Sequence, residues 1–390
     1  MTPAVDSPTQ AALQSVFKAC SDNQEFCVSL SSDNTTNPQI SVDISSQKSE
    51  PAMFQVMSSG TAGAPRTIRR THLSWIRSFN VNASLLQISP NDSYGIVGQI
   101  SHSLPLYAAL EAAYLGCDIH LLAELRPDKQ LAAISKLCTS VLYLTPTQAR
   151  LLCQVTTNSA YEFNVKKILC GGGKLDAQTK QSLQSLFKHA DIIEFYGASE
   201  TSFISICSSE SPIDSVGRPY PGVAIKIIGE FGEPTEGQGE IWVSSPYCFK
   251  EYANGKPGDT READGFISIG ELGYFDADGN LYLSGRKSRM VNIADNIVFP
   301  EEIENWFKNQ PIVRQCVVVA QPDELRGNVL VAVVQGVDDE SDRATLLKEC
   351  RTALGSLKAP KIILNSNKIP MLNAGKPDVV ALQAWVNSHD

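Results

Sequence analysis

Residues 140–176 read SVLYLTPTQARLLCQVTTNSAYEFNVKKILCGGGKLD. Ser140–Leu144 is a short apolar run, 146–155 has the spacing of an amphipathic helix, and Lys167–Cys170 is a second apolar run. The glycines at 171–173 then stand between that run and another helical stretch at 176–189. Working outward, Phe54–Met57, Tyr94–Ile100, Cys117–Leu122 and Ile192–Tyr196 are further apolar runs, interleaved with helical spacing at 104–115 and 128–137. Alternating strand and helix predicts an α/β fold with a parallel sheet, because parallel strands need helical crossovers.

The pattern changes on either side of this core. Residues 1–50 are polar, and a small helical or partly ordered cap is expected there. After 203, VAIKII, GEIWVSS, GFISIG, GYFDADG and NLYLSG read as short strands with Asp-Gly turn signals. Beyond 286, PEEIENWF opens a helix with Pro300 in its first turn, QCVVVAQ and NVLVAVVQG read as strands, and 342–356 and 378–388 as helices. The expected organisation is a large domain over 1–285 and a small α+β domain over 286–390. The large domain comprises the cap 1–50, an α/β core 51–203 and a β-rich subdomain 204–285.

Composition narrows the function classes. The 390 residues carry a net charge of −9 and no block of like charge, which argues against a nucleic-acid surface. No apolar run reaches membrane-spanning length, and the first residues lack the basic and apolar regions of a leader. Ten cysteines are scattered without a CxxC pair, which fits a reducing cytoplasm.

Residues 58–66, SSGTAGAPR, follow the run Phe54–Met57. Gly60 and Gly63 permit close backbone approach, Ser58, Ser59 and Thr61 supply hydroxyls, and Arg66 adds fixed positive charge. Such a turn can cradle an anion or can be a plain surface turn. It is not a Walker loop, since GxxxxGK[ST] is absent.

Downstream, GGGKLD (171–176), FYGASE (195–200), SIGELG (268–273), Gly285-Arg286, NIADNIVFPEEIE (292–304) and NAGKPD (373–378) follow in order. In that order the chain resembles the adenylate-forming superfamily of acyl- and aryl-CoA synthetases, luciferases and peptide-synthetase adenylation domains, over about 52–390. The resemblance implies ATP and Mg²⁺ as cofactors and activation of a carboxylic acid as its acyl-adenylate. The acyl group would then pass to the phosphopantetheine thiol of CoA or of a carrier protein. It also implies that the small domain rotates between two poses.

Residue by residue, the resemblance assigns the nucleotide to the 58–66 loop, to Gly171, Gly172 and Gly173, and to Tyr196, Gly197 and Ser199. Glu271 stands for the family's ribose-binding aspartate, and Arg286 for a nucleotide-contacting arginine. Glu200 would hold the metal, Lys376 would be the catalytic lysine, and Ser288 the hinge. His102, Leu106 and Ala198 would lie at the acyl pocket. With no acid within 100–110 for an ammonium group, a fatty, aryl or small organic acid is expected rather than an α-amino acid. Arg66 replaces the family lysine. Asp295 replaces a glycine near the thiol tunnel, and this keeps open a non-thiol acceptor. A non-catalytic nucleotide- or acyl-binding relative is the remaining alternative. The stretch before the phosphate loop is shorter than the family's, and a homodimer is one way to cover the edge so exposed.

Overall fold

A computed structural model describes residues 8–30, 40–48, 50–58, 66–155, 161–254, 258–294, 296–371 and 377–388. Among them, the expected parallel sheet is present. Its order is Arg218–Pro219, Ser202–Ile206, Asp191–Ala198, Lys167–Cys170, Val141–Leu144, Ser93–Ile96, Asp118–Leu121. The last five run parallel, and Ser202–Ile206 turns back antiparallel on Asp191–Ala198. The helices Ser103–Leu115, Pro127–Lys136, Pro146–Cys153 and Ala177–Leu186 lie where helical spacing placed them. Val141–Leu144 is buried along its whole length, which is why it reads as a continuous apolar run rather than an alternation.

Two expectations for the N-terminal part are corrected. Phe54–Met57 belongs not to the parallel sheet but to a second one, ordered Glu251–Tyr252, Arg66–Thr71, Met53–Ser58, Gln24–Leu30, Ile40–Lys48. Its strand pairs antiparallel with Arg66–Thr71, a pairing that a local apolar run cannot announce. The cap at 1–50 is a helix, Pro8–Ser21, followed by two strands of this sheet. Phe26 and Val28 point into the core, but polar Ile40–Lys48 hides the pairing from composition. A helix not expected from the apolar runs spans His72–Leu85, with the Thr71 hydroxyl accepting from the Ser74 amide as its cap.

In the β-rich part, GFISIG and GYF form one strand, Phe266–Phe275, rather than two. Leu281–Arg286 pairs back on it, bringing Glu271 opposite Arg286. The last part has a sheet of Gln315–Asp323, Gly327–Gln335 and Ile362–Asn365. Val318 and Val334 face one apolar cluster with Ile303 and Phe307, while Val317 and Val333 face another with Leu382 and Val386. Helices therefore cover both faces, and this part has its own core.

Candidate active site

A cavity of about 760 Å³ opens where the parallel strands end. Val97–Gln99, Ala123, Thr145–Gln148 and Gly172–Lys174 each follow the carboxyl end of a strand and line it. The connection from Ser93–Ile96 runs to Asp118–Leu121 on one side, while that from its neighbour Val141–Leu144 runs to Lys167–Cys170 on the other, so a crevice opens between these two strands. Gly171 shapes one wall from behind, since a Cβ there would lie 2.3 Å from the Phe195 ring. The Asp176 carboxylate caps the next helix through the Thr179 amide and pairs with Arg150 at 2.8 Å.

The tight turn between Asp191–Ala198 and Ser202–Ile206 carries the central residues. Gly197, Ala198, Ser199 and Glu200 all line the cavity. Ser103 donates to the Ser199 hydroxyl at 2.9 Å. Glu200 is nearly buried, and the Tyr252 hydroxyl donates to its Oε1 at 2.8 Å. Arg66 opens the strand Arg66–Thr71, and its guanidinium lies 5.6 Å from the centre of the Tyr252 ring. Arg66, Tyr252 and Glu200 thus form one charged corner.

Tyr196, Glu271 and Arg286 form a second group. Arg286 lines the cavity and donates to Glu271 Oε1 at 2.9 Å. Burial, and then the neighbouring Glu271 carboxylate, hold the Tyr196 phenol well above its ordinary pKa. The Tyr196 hydroxyl and Glu271 Oε2 are buried and have no hydrogen-bond partner among the described residues. Tyr196 packs with Ile204, Ile227 and Leu281, and neither it nor Glu271 is part of the cavity lining.

Ser59, Gly60, Thr61, Gly63, Asp295 and Lys376 lie outside the described residues. The ends of the phosphate loop are described: Ser58 and Arg66 are paired across two antiparallel strands. Pro377 lines the cavity beside Lys308 and Gln315. His102 lines it as well, with burial holding its imidazole below the ordinary range. Leu106, expected at the acyl pocket, is instead fully buried in the core, because its helix turns that face inward. Ser288 lies in the short 3₁₀ turn Lys287–Arg289.

Sequence reading missed Arg70 and Trp75, both of which line the cavity. A signal for Arg70 existed. In RTIRRT, Arg66, Ile68 and Arg70 share one face of the strand, and the outer two reach the cavity.

The donor set fits the implied cofactors. Mg²⁺ takes one or two carboxylates plus substrate phosphate oxygens, and Glu200 supplies such a carboxylate at the wall. No cluster of three or more metal-binding side chains exists among the described residues. Glu271 stands behind the wall, held by Arg286, so the ribose contact expected of it is not offered by the lining of this cavity.

The family model described as AMP-binding enzyme matches residues 3–253, and that of the AMP-binding enzyme C-terminal domain matches residues 302–376. The chain is 32% identical over 342 residues to the uncharacterized acyl–CoA ligase YhfT of Bacillus subtilis, covering 86% of this chain and 69% of that protein. It is 26% identical over 324 residues to the 2-succinylbenzoate–CoA ligase of Enterococcus faecalis, covering 82% and 66%. In fold it is similar to ATP-bound MatB from Rhodopseudomonas palustris, with a TM-score of 0.77, 23% identity, and 87% and 69% of the two chains covered. On the family match, the relative and the fold together, the chain belongs to the AMP-binding enzymes, the adenylate-forming superfamily that its motif order resembles.

Proposed function

We propose that the protein is an AMP-forming acid–thiol ligase. It activates a carboxylic acid with ATP, releasing pyrophosphate, and passes the acyl group to the phosphopantetheine thiol of CoA or a carrier protein. One observation carries this reading: Ser199, Glu200, Arg66 and Arg286 converge on a single cavity although 220 positions in the numbering separate the outermost two.

The substrate carboxylate attacks the α-phosphorus, the bond to the bridging oxygen breaks, and pyrophosphate leaves with the electron pair. Negative charge spreads over the phosphoryl oxygens as this happens. Fixed cations that need no reorganisation stabilise that charge best. Arg66 and Arg286 stand at the wall, and Lys376 is assigned the contact to carboxylate and α-phosphate. Glu200, oriented by Tyr252, would hold Mg²⁺, which neutralises phosphate charge when bound. Trp75, Tyr107, Phe195 and Phe203 give part of the cavity an aromatic lining. That lining supports a fatty or aryl acid. The two units 1–285 and 286–390 would then move about Ser288.

Acid-dependent exchange of labelled pyrophosphate into ATP, over a panel of fatty, aryl and small organic acids, tests this. Exchange with at least one acid is expected, reduced at least about 100-fold in Lys376→Ala, the scale of a lost charge-stabilising contact. ATP binding without exchange for any acid would favour a non-catalytic binder. Adenylate that forms but acylates neither CoA nor a carrier protein would favour a non-thiol acceptor.

A further inference from the structure

Arg70 is fully buried, yet it lines the cavity. Its guanidinium grips both ends of the turn that carries Ser199 and Glu200. Nη1 donates to the Ser199 carbonyl at 3.0 Å, and Nη2 to the Ser202 hydroxyl at 2.7 Å. Nη2 also donates to the Tyr247 carbonyl, and Nε to the Ser74 hydroxyl at 3.1 Å. The guanidinium lies 4.9 Å from the centre of the Trp75 ring, and Trp75 Nε1 donates to the same Ser202 hydroxyl at 3.2 Å.

The turn needs this grip. Ser202 has φ 58°, in the left-handed region, which costs a non-glycine residue about 1 kcal/mol. Gly197, across the hairpin, has no space for a Cβ, which would lie 2.0 Å from the Ser202 carbonyl oxygen. Strain of this kind persists only where surrounding contacts over-determine the backbone. Two donors on one hydroxyl and a third bond to the Ser199 carbonyl provide that. Glu200 sits between the gripped positions, and its own carbonyl accepts from the Phe249 amide at 2.6 Å. A planar fork can bridge acceptors in this way; an ammonium cannot hold the same geometry.

We propose that Arg70, with Trp75 and Ser202, is a positioning residue that sets the Ser199 hydroxyl and Glu200 carboxylate for nucleotide and metal, an inference that rests on the adenylation reading. Its effect passes through the turn.

The deciding variant is Ser202→Gly, with Arg70→Lys as its companion, both in the full chain. Glycine relieves the left-handed backbone while removing the gripped hydroxyl, so folding survives and positioning does not. Expected for Ser202→Gly is a thermal midpoint at or near that of the wild type, with kcat for pyrophosphate exchange down by about 100-fold, the scale of a misplacement near 1 Å. KM for ATP at saturating Mg²⁺ should rise as the metal's contribution to binding is lost, while KM for the acid should change little. Calorimetric ATP titration without any acid gives a readout independent of turnover. The wild type should bind ATP more tightly with Mg²⁺ than without, and Ser202→Gly should lose most of that difference. Arg70→Lys should show the same two defects.

Wild-type kcat and an undiminished Mg²⁺ effect in both variants would overturn the proposal. So would a loss of kcat that merely follows a lowered thermal midpoint, since that marks a structural role. If the wild type itself exchanges no pyrophosphate, the adenylation reading fails, and the Mg²⁺ effect on ATP binding in Ser202→Gly still decides for or against positioning.

Discussion

At Gly197 the turn leaves no space for a methyl group, and the obstructing atom is backbone rather than a movable side-chain tip. Gly197→Ala must therefore shift the hairpin that carries Ser199 and Glu200. Overpacking of this kind costs about 1–3 kcal/mol. The expected outcome is a lower denaturation midpoint in urea together with slower pyrophosphate exchange; an unchanged midpoint would show that the turn is softer than its contacts imply. The glycine was legible as part of FYGASE, but its reason was not. The Ser202 carbonyl that excludes a side chain is brought in by the return strand, five positions later. Arg70 shows the same limit. Its inward direction follows from strand alternation, while its four acceptors come from the following helix, the 199–202 turn and the loop at Tyr247.

Among elements, the short turn Lys287–Arg289 divides its contacts. On one side Arg286 holds Glu271 at 2.9 Å and Lys287 approaches Glu240 at 3.6 Å. On the other, Arg289 holds Glu304 at 2.7 Å and Glu301 at 3.2 Å, and donates to the Val318 carbonyl. Ser288 is the position where the partners change from the β-rich part to the last part. Ser288→Pro, which fixes φ, should leave pyrophosphate exchange near the wild-type rate. Thioester formation should slow by at least about tenfold, or ~1.4 kcal/mol in barrier. Separate assays of exchange and of CoA acylation check this, and equal loss of both would place the pivot elsewhere. Sequence order alone suggested the hinge; the partition of ion pairs around it needed the strand pairing of Glu271 with Arg286.

Across the whole molecule, Glu111 ties the core together. It is fully buried and accepts from the Tyr143 hydroxyl at 2.6 Å, Asn82 at 2.8 Å and the Tyr94 hydroxyl at 3.0 Å. Asn82 in turn accepts from the Tyr220 hydroxyl at 2.6 Å. Burial pushes the Glu111 carboxyl up from 4.5 to about 7, against the pull of these donors. Between those two pH values the unfolded chain has released this proton and the folded chain still holds it, so this group's contribution to stability falls as pH rises. The loss is about 3 kcal/mol across the window. Glu111→Gln should remove that slope, so thermal midpoints of variant and wild type should converge toward pH 5 and diverge toward pH 7 in favour of the variant. A constant offset over the same range would show that Glu111 does not hold its proton in the folded state.

By itself the sequence determined the alternation of strand and helix, the positions of the crossover helices and the order of the nucleotide motifs. These are local: hydrophobic period, glycine turns and caps act within a few residues. Only the tertiary structure decided that Met53–Ser58 leaves the parallel sheet, that two polar-flanked strands precede it, and that Tyr196 and Glu271 stand behind the wall while Arg286 lines it. It also decided that Arg70 clasps the turn at Ser199–Ser202. The physical reason is common to all four. Strand pairing and the satisfaction of buried charge depend on partners far along the chain, and no local pattern names them.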